Sequence, residues 1–115
     1  MSTIIRVDVE RHDSTAVARL DGELDTATVG DVAVKLRRLV ENDQLRLVVD
    51  LVDVTYIDSA GINLLYAVAG ELRARQLRLH LVVAPGSPIE RMLTIVGATT
   101  AFPVHPTLDA ALAAP

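Results

Sequence analysis

The sequence predicts one α/β domain, in which about four helices cover a mixed β-sheet that is parallel in its later part. Strand-like and helix-like segments alternate in the order ββαβαβαβα, which is typical of such a sheet. Residues 45–54 form a nearly continuous apolar run rich in valine, as in a strand buried on both faces. No linker, repeat or low-complexity stretch divides the chain, so residues 1–115 are expected to form a single domain.

The first three elements are predicted to be a hairpin and a helix. Residues 4–10 and 15–20 have extended patterns on either side of a polar turn, which indicates an antiparallel pair. The carboxylates within residues 21–25 are expected to end the second strand. A helix follows, since apolar residues recur at one-face spacing and Asp25, Thr26 or Thr28 can cap it; these apolar residues are Val29, Val32, Ala33, Leu36, Leu39 and Val40.

The later elements continue the alternation. Asp50 within the buried run indicates a bend or a polar partner. A helix after Ser59 is predicted to turn one face to the core: Ile62, Leu65, Tyr66, Ala69 and Leu72. Residues 77–83 predict a strand, Ser87 to Glu90 has the pattern of a capping box at a helix start, and Gly97 is placed to end that helix. An edge strand at 101–104 and a helix at 107–114 complete the chain.

Composition and charge exclude several classes of function. Without cysteine the chain has no disulfide, thiolate nucleophile or cysteine-bound zinc. Fifteen acidic residues against 11 basic ones argue against nucleic-acid binding. No apolar run approaches the roughly 20 residues of a membrane span, and the N-terminus lacks a signal-peptide layout. We therefore expect a soluble, cytoplasmic protein that has neither nucleic acid nor membrane as a partner.

Recognisable catalytic and cofactor motifs are absent from the sequence. The three histidines are too scattered for a metal-ligand pattern, so no metal site is predicted. Neither a glycine-rich phosphate loop nor the glycine-flanked serine of an esterase occurs. We expect a protein that is not an enzyme and needs no cofactor.

Ser59 is the residue that deserves a functional interpretation, because it lies where a buried strand turns into a helix. Its ordinary role would be to cap that helix. Ala60 and Gly61, however, leave the hydroxyl accessible, and a glycine in a first helical turn suggests close approach by another molecule. A helix start also accommodates a phosphate, and phosphorylation adds about two negative charges.

Two motifs carry a family resemblance. Residues 49–62, Val-Asp-Leu-Val-Asp-Val-Thr-Tyr-Ile-Asp-Ser-Ala-Gly-Ile, resemble the signature of the STAS family, which comprises bacterial anti-sigma factor antagonists and their relatives. Residues 20–25, Leu-Asp-Gly-Glu-Leu-Asp, resemble its second hallmark before the first helix. The resemblance extends over essentially the whole chain.

The resemblance implies a partner-switching regulator. Ser59 matches the serine that an anti-sigma factor with serine kinase activity phosphorylates, within a switch motif of Asp58, Ser59, Ala60 and Gly61. Gly22 and Asp25 match the loop near that serine. The unphosphorylated protein would bind the anti-sigma factor and free a sigma factor, and a PP2C-type phosphatase would reset it. Asn63 departs from the family, which often has glycine there.

The surface that meets the partner has two interpretations in the sequence. Ile62, Asn63 and Leu64 either belong to a helix wedged between sheet and neighbouring helix, or form part of a partner-binding patch. Asp21, Gly22, Glu23 and Asp25 are either a solvated capping loop or a contact for a basic partner face. Two other functions stay open: a STAS scaffold or transporter-accessory domain, of the stressosome or lipid-transport type, and a weak nucleotide-binding domain.

Overall fold

A computed structural model describes residues 4–43 and 46–115 of the chain. The elements are β1 (Ile5–His12), β2 (Thr15–Leu24), α1 (Val29–Asp43), β3 (Arg46–Ile57), α2 (Ser59–Arg73), β4 (Leu79–Val82), α3 (Pro88–Ile95), a 3-10 turn (Ala98–Thr100), β5 (Val104–His105) and α4 (Leu108–Ala113). The predicted order ββαβαβαβα is confirmed.

The five strands form one mixed sheet in the order β1-β2-β3-β4-β5. Strand β1 is antiparallel to β2, and β2 to β5 run parallel to one another. Parallel strands end at the same edge of a sheet, so the segments that follow β2, β3 and β4 come together at one carboxyl edge. This edge carries the residues that the sequence analysis singled out.

The sheet is covered on both faces, as the apolar run in β3 predicted. Ala18 and Val49 face the larger core, which α1, α2 and α3 complete with residues such as Leu36, Leu65 and Leu93. Successive strand residues point to opposite faces. Val17, Val48 and Val82 accordingly form a smaller cluster on the other face under α4. None of the described helices is long and apolar enough to cross a membrane.

Several predicted boundaries were wrong. Strand β2 continues through the carboxylates to Leu24, and β3 continues to Ile57, whereas ends at residues 20 and 54 were expected. The two strands pair along this extension, with register shifts that insert extra residues into β3. Strand β4 is shorter than predicted, and the final strand is Val104–His105 because a 3-10 turn precedes it. The predicted start of β3 at Leu45 lies outside the described residues.

Polar side chains form hydrogen bonds in one buried strand and at one predicted helix start. Asp50 is buried and accepts a hydrogen bond from Arg19 Nε at 3.5 Å, so its polar-partner interpretation is confirmed. In the capping box of α3, the glutamate side chain accepts its hydrogen bond from one residue earlier than the usual pattern. Ser87 Oγ accepts from the Glu90 N–H at 3.2 Å, whereas Glu90 Oε1 accepts from the N–H of Gly86, the residue before the cap, at 2.8 Å.

Candidate switch site at the start of helix α2

The site lies at the carboxyl edge, where β3 passes directly into α2. Asp58 is the single residue between Ile57 and the first helical residue, Ser59. Its backbone N–H donates to the Leu24 carbonyl at 3.3 Å, and its carbonyl accepts from the Ile62 N–H at 3.0 Å. The junction is therefore held to the end of β2 on one side and to the first turn of α2 on the other.

Asp58, and not Ser59, caps helix α2. Its Oδ1 accepts from the N–H groups of Ala60 at 2.9 Å and Gly61 at 3.2 Å. Its Oδ2 accepts from the N–H and the hydroxyl of Thr26, at 3.3 and 3.4 Å. One carboxylate thus satisfies two free N–H groups of α2 and ties them to the β2–α1 loop. The capping role that local chemistry allowed for Ser59 was wrong.

The environment of Asp58 keeps its carboxyl group ionised. Burial raises the pKa of Asp58, but hydrogen bonds from the N–H groups of Gly61, Thr26 and Ala60, and from the Thr26 hydroxyl, lower it by more. The resulting pKa lies below that of an ordinary aspartate. A fixed negative charge therefore stands directly beside Ser59.

Ser59 is left free by this arrangement. Its side chain is exposed and has no hydrogen-bond partner within residues 4–43 and 46–115. As the first residue of α2, it lies at the positive end of the helix dipole, where added negative charge is favourable. A phosphoryl group on its oxygen would consequently leave the α2 hydrogen bonds in place.

Gly61 is required by the packing of the protein itself. It is buried, and a Cβ atom at this position would lie 2.7 Å from the Leu24 carbonyl oxygen and 2.8 Å from Ile57 Cγ1. The glycine lets the first turn of α2 press against the end of β2. The expectation that Gly61 serves the approach of another molecule was wrong, because the approaching atoms are internal.

The residues after Gly61 separate into buried and exposed sets. Ile62 and Leu64 lie in the core at 7% and 6% exposure, so their assignment to a partner-binding patch is contradicted. Ala60 is partly exposed and Asn63 is exposed.

One face of α2 is left exposed beside Ser59. Its residues, spaced at three or four, are Ser59, Asn63, Tyr66, Ala67 and Gly70. Tyr66 was predicted to face the core; instead it is 40% exposed, with its ring 5.6 Å from that of Phe102. The spacing of three and four residues that defines this exposed face is visible in the sequence and could have predicted it.

The predicted acidic group divides into free and engaged carboxylates. Asp21 and Glu23 are exposed on β2. In the sheet register, Asp21 lies opposite Arg6 of β1 on one side and Asp53 of β3 on the other. Asp25 Oδ1 accepts from the N–H groups of Ala27 and Thr28, at 2.9 and 3.2 Å, which supports its capping role.

Gly22, in the same segment, has a structural role. Its φ is +131°, and a Cβ there would lie 2.7 Å from the Ile4 carbonyl oxygen. Both the backbone conformation and the neighbouring strand β1 therefore require glycine at this position.

A second polar cluster lies on the opposite face of the sheet, near α4. Arg46 Nη2 donates to His80 Nε2 at 3.2 Å and to the Ala111 carbonyl at 3.2 Å. Because His80 Nε2 accepts, the proton of its neutral ring is on Nδ1, which donates to His105 Nε2 at 3.0 Å.

This cluster holds its histidines neutral. Burial, reinforced by the positive charge of Arg46, lowers the pKa of His80 to about 4, and the same two causes lower the pKa of His105. No group of three or more histidines and carboxylates in the described part of the chain is placed to hold a metal ion.

Comparisons with known proteins match this chain over nearly its whole length. A family model for the STAS domain matches residues 6–111. The protein BtrV of Bordetella bronchiseptica is 30% identical over 96% of this chain and 94% of its own length. Anti-sigma-F factor antagonist RsfB of Mycobacterium tuberculosis is also 30% identical, over 94% of this chain and 87% of its own. The crystal structure of an anti-sigma factor antagonist from Mycobacterium paratuberculosis has a TM-score of 0.83 and 28% identity, covering 95% and 92% of the two chains.

Proposed function

This chain belongs to the STAS domain family, and on that premise we propose that it is an anti-sigma factor antagonist switched at Ser59. In its unphosphorylated form it binds an anti-sigma factor with serine kinase activity, which frees a sigma factor. Phosphorylation of Ser59 ends that binding, and a PP2C-type phosphatase restores it. The protein acts by binding and release in the cytoplasm, without catalysing a reaction itself.

The observation that carries this proposal is the free hydroxyl of Ser59 at a helix start whose cap hydrogen bonds come from Asp58. Asp58 supplies both cap hydrogen bonds, so Ser59 is not needed to hold α2. The hydroxyl is exposed and points to no acceptor in the described residues. A kinase can therefore transfer the γ-phosphoryl group of ATP to Ser59 Oγ, with loss of the hydroxyl proton, while the fold is preserved.

Charge explains how the modification would end binding. Asp58 is ionised beside Ser59, and Asp21, Glu23 and Asp53 are exposed on neighbouring strands of the same edge. A phosphate adds about two further negative charges to this edge. A partner surface that covers Ser59 in the unphosphorylated complex would have to bury those charges, which is costly without compensating cations. Phosphatase hydrolysis with water returns the hydroxyl and releases inorganic phosphate.

The test uses the anti-sigma kinase of the source organism, captured with a Ser59→Ala bait, identified by mass spectrometry and purified. Incubation with this kinase and ATP should add one phosphate to the wild-type protein, located at Ser59 by peptide mass measurement. Ser59→Ala should take up none and stay bound. Ser59→Glu should bind at least about tenfold more weakly in calorimetry.

Ser14→Ala is the matched control, because Ser14 is also exposed but lies in the β1–β2 turn at the opposite end of β2. It should be phosphorylated and bound like the wild type. Phosphate found at another residue, or a Ser59→Glu variant that binds as tightly as the wild type, would contradict the proposal.

A further inference from the structure

The carboxyl half of β3 is a sheet edge beside the switch site. Strand β4 pairs with β3 only from Leu47 to Asp50, whereas β3 continues to Ile57 with β2 on its other side. Among the described residues, residues 53–57 have a strand partner on the β2 side only, because the pairing with β4 ends at Asp50. The Val52 N–H donates to Asp50 Oδ1 at 3.0 Å, within β3 itself.

An apolar groove runs along this edge. A cavity of about 270 Å³ lies between β3 and the start of α3, and its lining residues are Leu51, Val52, Val54, Thr55, Ser87, Pro88 and Ile89. A second cavity of about 90 Å³ shares Thr55, Pro88 and Ile89 with it and extends to Ile57 and Met92. We call the space between residues 51–57 and residues 87–92 the edge groove.

The groove presents large apolar side chains to solvent. Val52 and Tyr56 on β3 are 48% and 49% exposed, and Met92 on α3 is 37% exposed. The wall formed by α3 offers little competing polarity, because Pro88 has no N–H and the Ser87 hydroxyl accepts from Glu90. An exposed strand edge with apolar side chains is a template for another strand.

The charges on this edge indicate which kind of strand fits. Residues 51–58 contain Asp53 and Asp58 and no basic residue. A second copy of this chain, placed edge to edge, would bring like charges together. An uncharged, apolar extended segment of a different protein meets no such repulsion, and its backbone can use the hydrogen-bonding groups that β4 does not reach.

We propose that the edge groove receives an extended apolar segment of the anti-sigma factor, which adds to the sheet as a sixth strand beside residues 51–57. This inference rests on the proposed function and deepens it. The edge spans about 20 Å and ends two residues before Ser59. A phosphate on Ser59 therefore stands at the mouth of the groove, where it disfavours an apolar segment and so couples modification to release.

The first test changes the groove wall and leaves Ser59 intact. The probe is the purified anti-sigma kinase from the capture experiment, and binding is measured by calorimetry. Met92→Glu should weaken binding about tenfold or more, because it places a charge against the apolar segment. Val34→Glu is the matched control, since Val34 is 52% exposed on α1, outside the groove; it should bind within about twofold of wild type. Unchanged melting temperatures would show that both variants fold.

The second test asks whether the contact is a strand. In hydrogen exchange, those backbone N–H groups of residues 53–57 that do not already donate to β2 should exchange at least about tenfold more slowly in the complex than in the free protein. Binding that protects only α2 and α3 overturns the sixth strand, as does a Met92→Glu variant that binds like wild type. The proposed function fails separately, if Ser59 is not the phosphorylated residue or if Ser59→Glu leaves binding unchanged.

Discussion

The two polar clusters of this protein, one around Ser59 and one around His80, differ in what they leave free. At the carboxyl edge, Asp58 satisfies the start of α2 with one carboxylate, and the neighbouring hydroxyl of Ser59 stays exposed without a partner in the described residues. Near α4, the ring nitrogens of His80 are both engaged, by Arg46 and by His105. The cluster around Ser59 can accept an added negative charge, whereas the cluster around His80 depends on a neutral histidine.

The difference shows that the site around Ser59 can be modified, whereas the cluster around His80 maintains the fold. A phosphate at Ser59 meets the positive end of a helix and open solvent, so modification changes the surface without disturbing the core. A proton on His80 Nε2 would face the N–H of Arg46, and two donors would then point at each other. An added charge is tolerated at Ser59, whose side chain has no hydrogen-bond partner in the described residues. It is destabilising at His80, where both ring nitrogens are hydrogen-bonded.

Acidification should have the largest effect, and it should act on the histidine cluster. The pKa of His80 is about 4 in the folded protein, against 6.5 in the unfolded chain, so the unfolded state binds the proton first. Stability is full above pH 6.5 and is lost as the pH falls towards 4, by about 3 kcal/mol at most. Urea unfolding between pH 7 and 4 measures this loss.

His80→Gln is the control for the acid effect. A glutamine can accept from Arg46 and donate to His105 but does not titrate, so its stability should vary less over the same range. An equally steep decline in this variant would locate the acid sensitivity elsewhere and would remove the contrast between the clusters.

The next largest effect is expected from two glycines of the same helix. Gly61→Ala should destabilise the protein by about 2 kcal/mol, because the added methyl group meets the Leu24 carbonyl oxygen at 2.7 Å. Gly70→Ala should stabilise it by about 0.5–1 kcal/mol, since Gly70 is exposed with open space around its Cα. Chemical denaturation of the two variants measures the difference. Equal stabilities would show that the first turn of α2 does not press on β2.

Removing the cap should separate the role of Asp58 from that of Ser59. Asp58→Ala leaves the N–H groups of Ala60 and Gly61 without their acceptor, so the melting temperature should fall by about 5 °C. Ser59→Ala should change it by no more than about 1 °C, because the Ser59 side chain makes no hydrogen bond in the described structure. A larger loss in Ser59→Ala than in Asp58→Ala would reverse the assignment of the cap.

The smallest effect is expected at Asn63, on the exposed face of α2. Asn63→Gly should cost only about 0.3–0.5 kcal/mol, because asparagine and glycine are both poor helix formers and the side chain is exposed. Thermal unfolding measures this cost. A loss above about 1 kcal/mol would show that Asn63 has a structural contact and does not belong to the free face of α2.

The sequence predicted the order of elements well, because hydrophobic periodicity is a local property that a single chain displays. It misplaced the end of β2, since residues 21–24 have the composition of a turn and become a strand only by pairing with β3. It also ended β3 too early, at residue 54, although Thr55, Tyr56 and Ile57 are strand-forming residue types that continue the pairing with β2. The cap was misassigned for the same reason. Both Asp58 and Ser59 are good cap residues, and the point where β3 ends decides between them.

By itself, the sequence determined that a strand–helix junction with Asp58, Ser59, Ala60 and Gly61 stands in an α/β domain of the STAS family. Only the tertiary structure decided which of its groups are free. It buried Ile62 and Leu64, engaged Asp58, filled the space at Gly61 with Leu24, and left the Ser59 hydroxyl and the edge of β3 open. The accessibility of a group depends on contacts between residues far apart in the chain, and a local pattern of residue types does not specify those contacts.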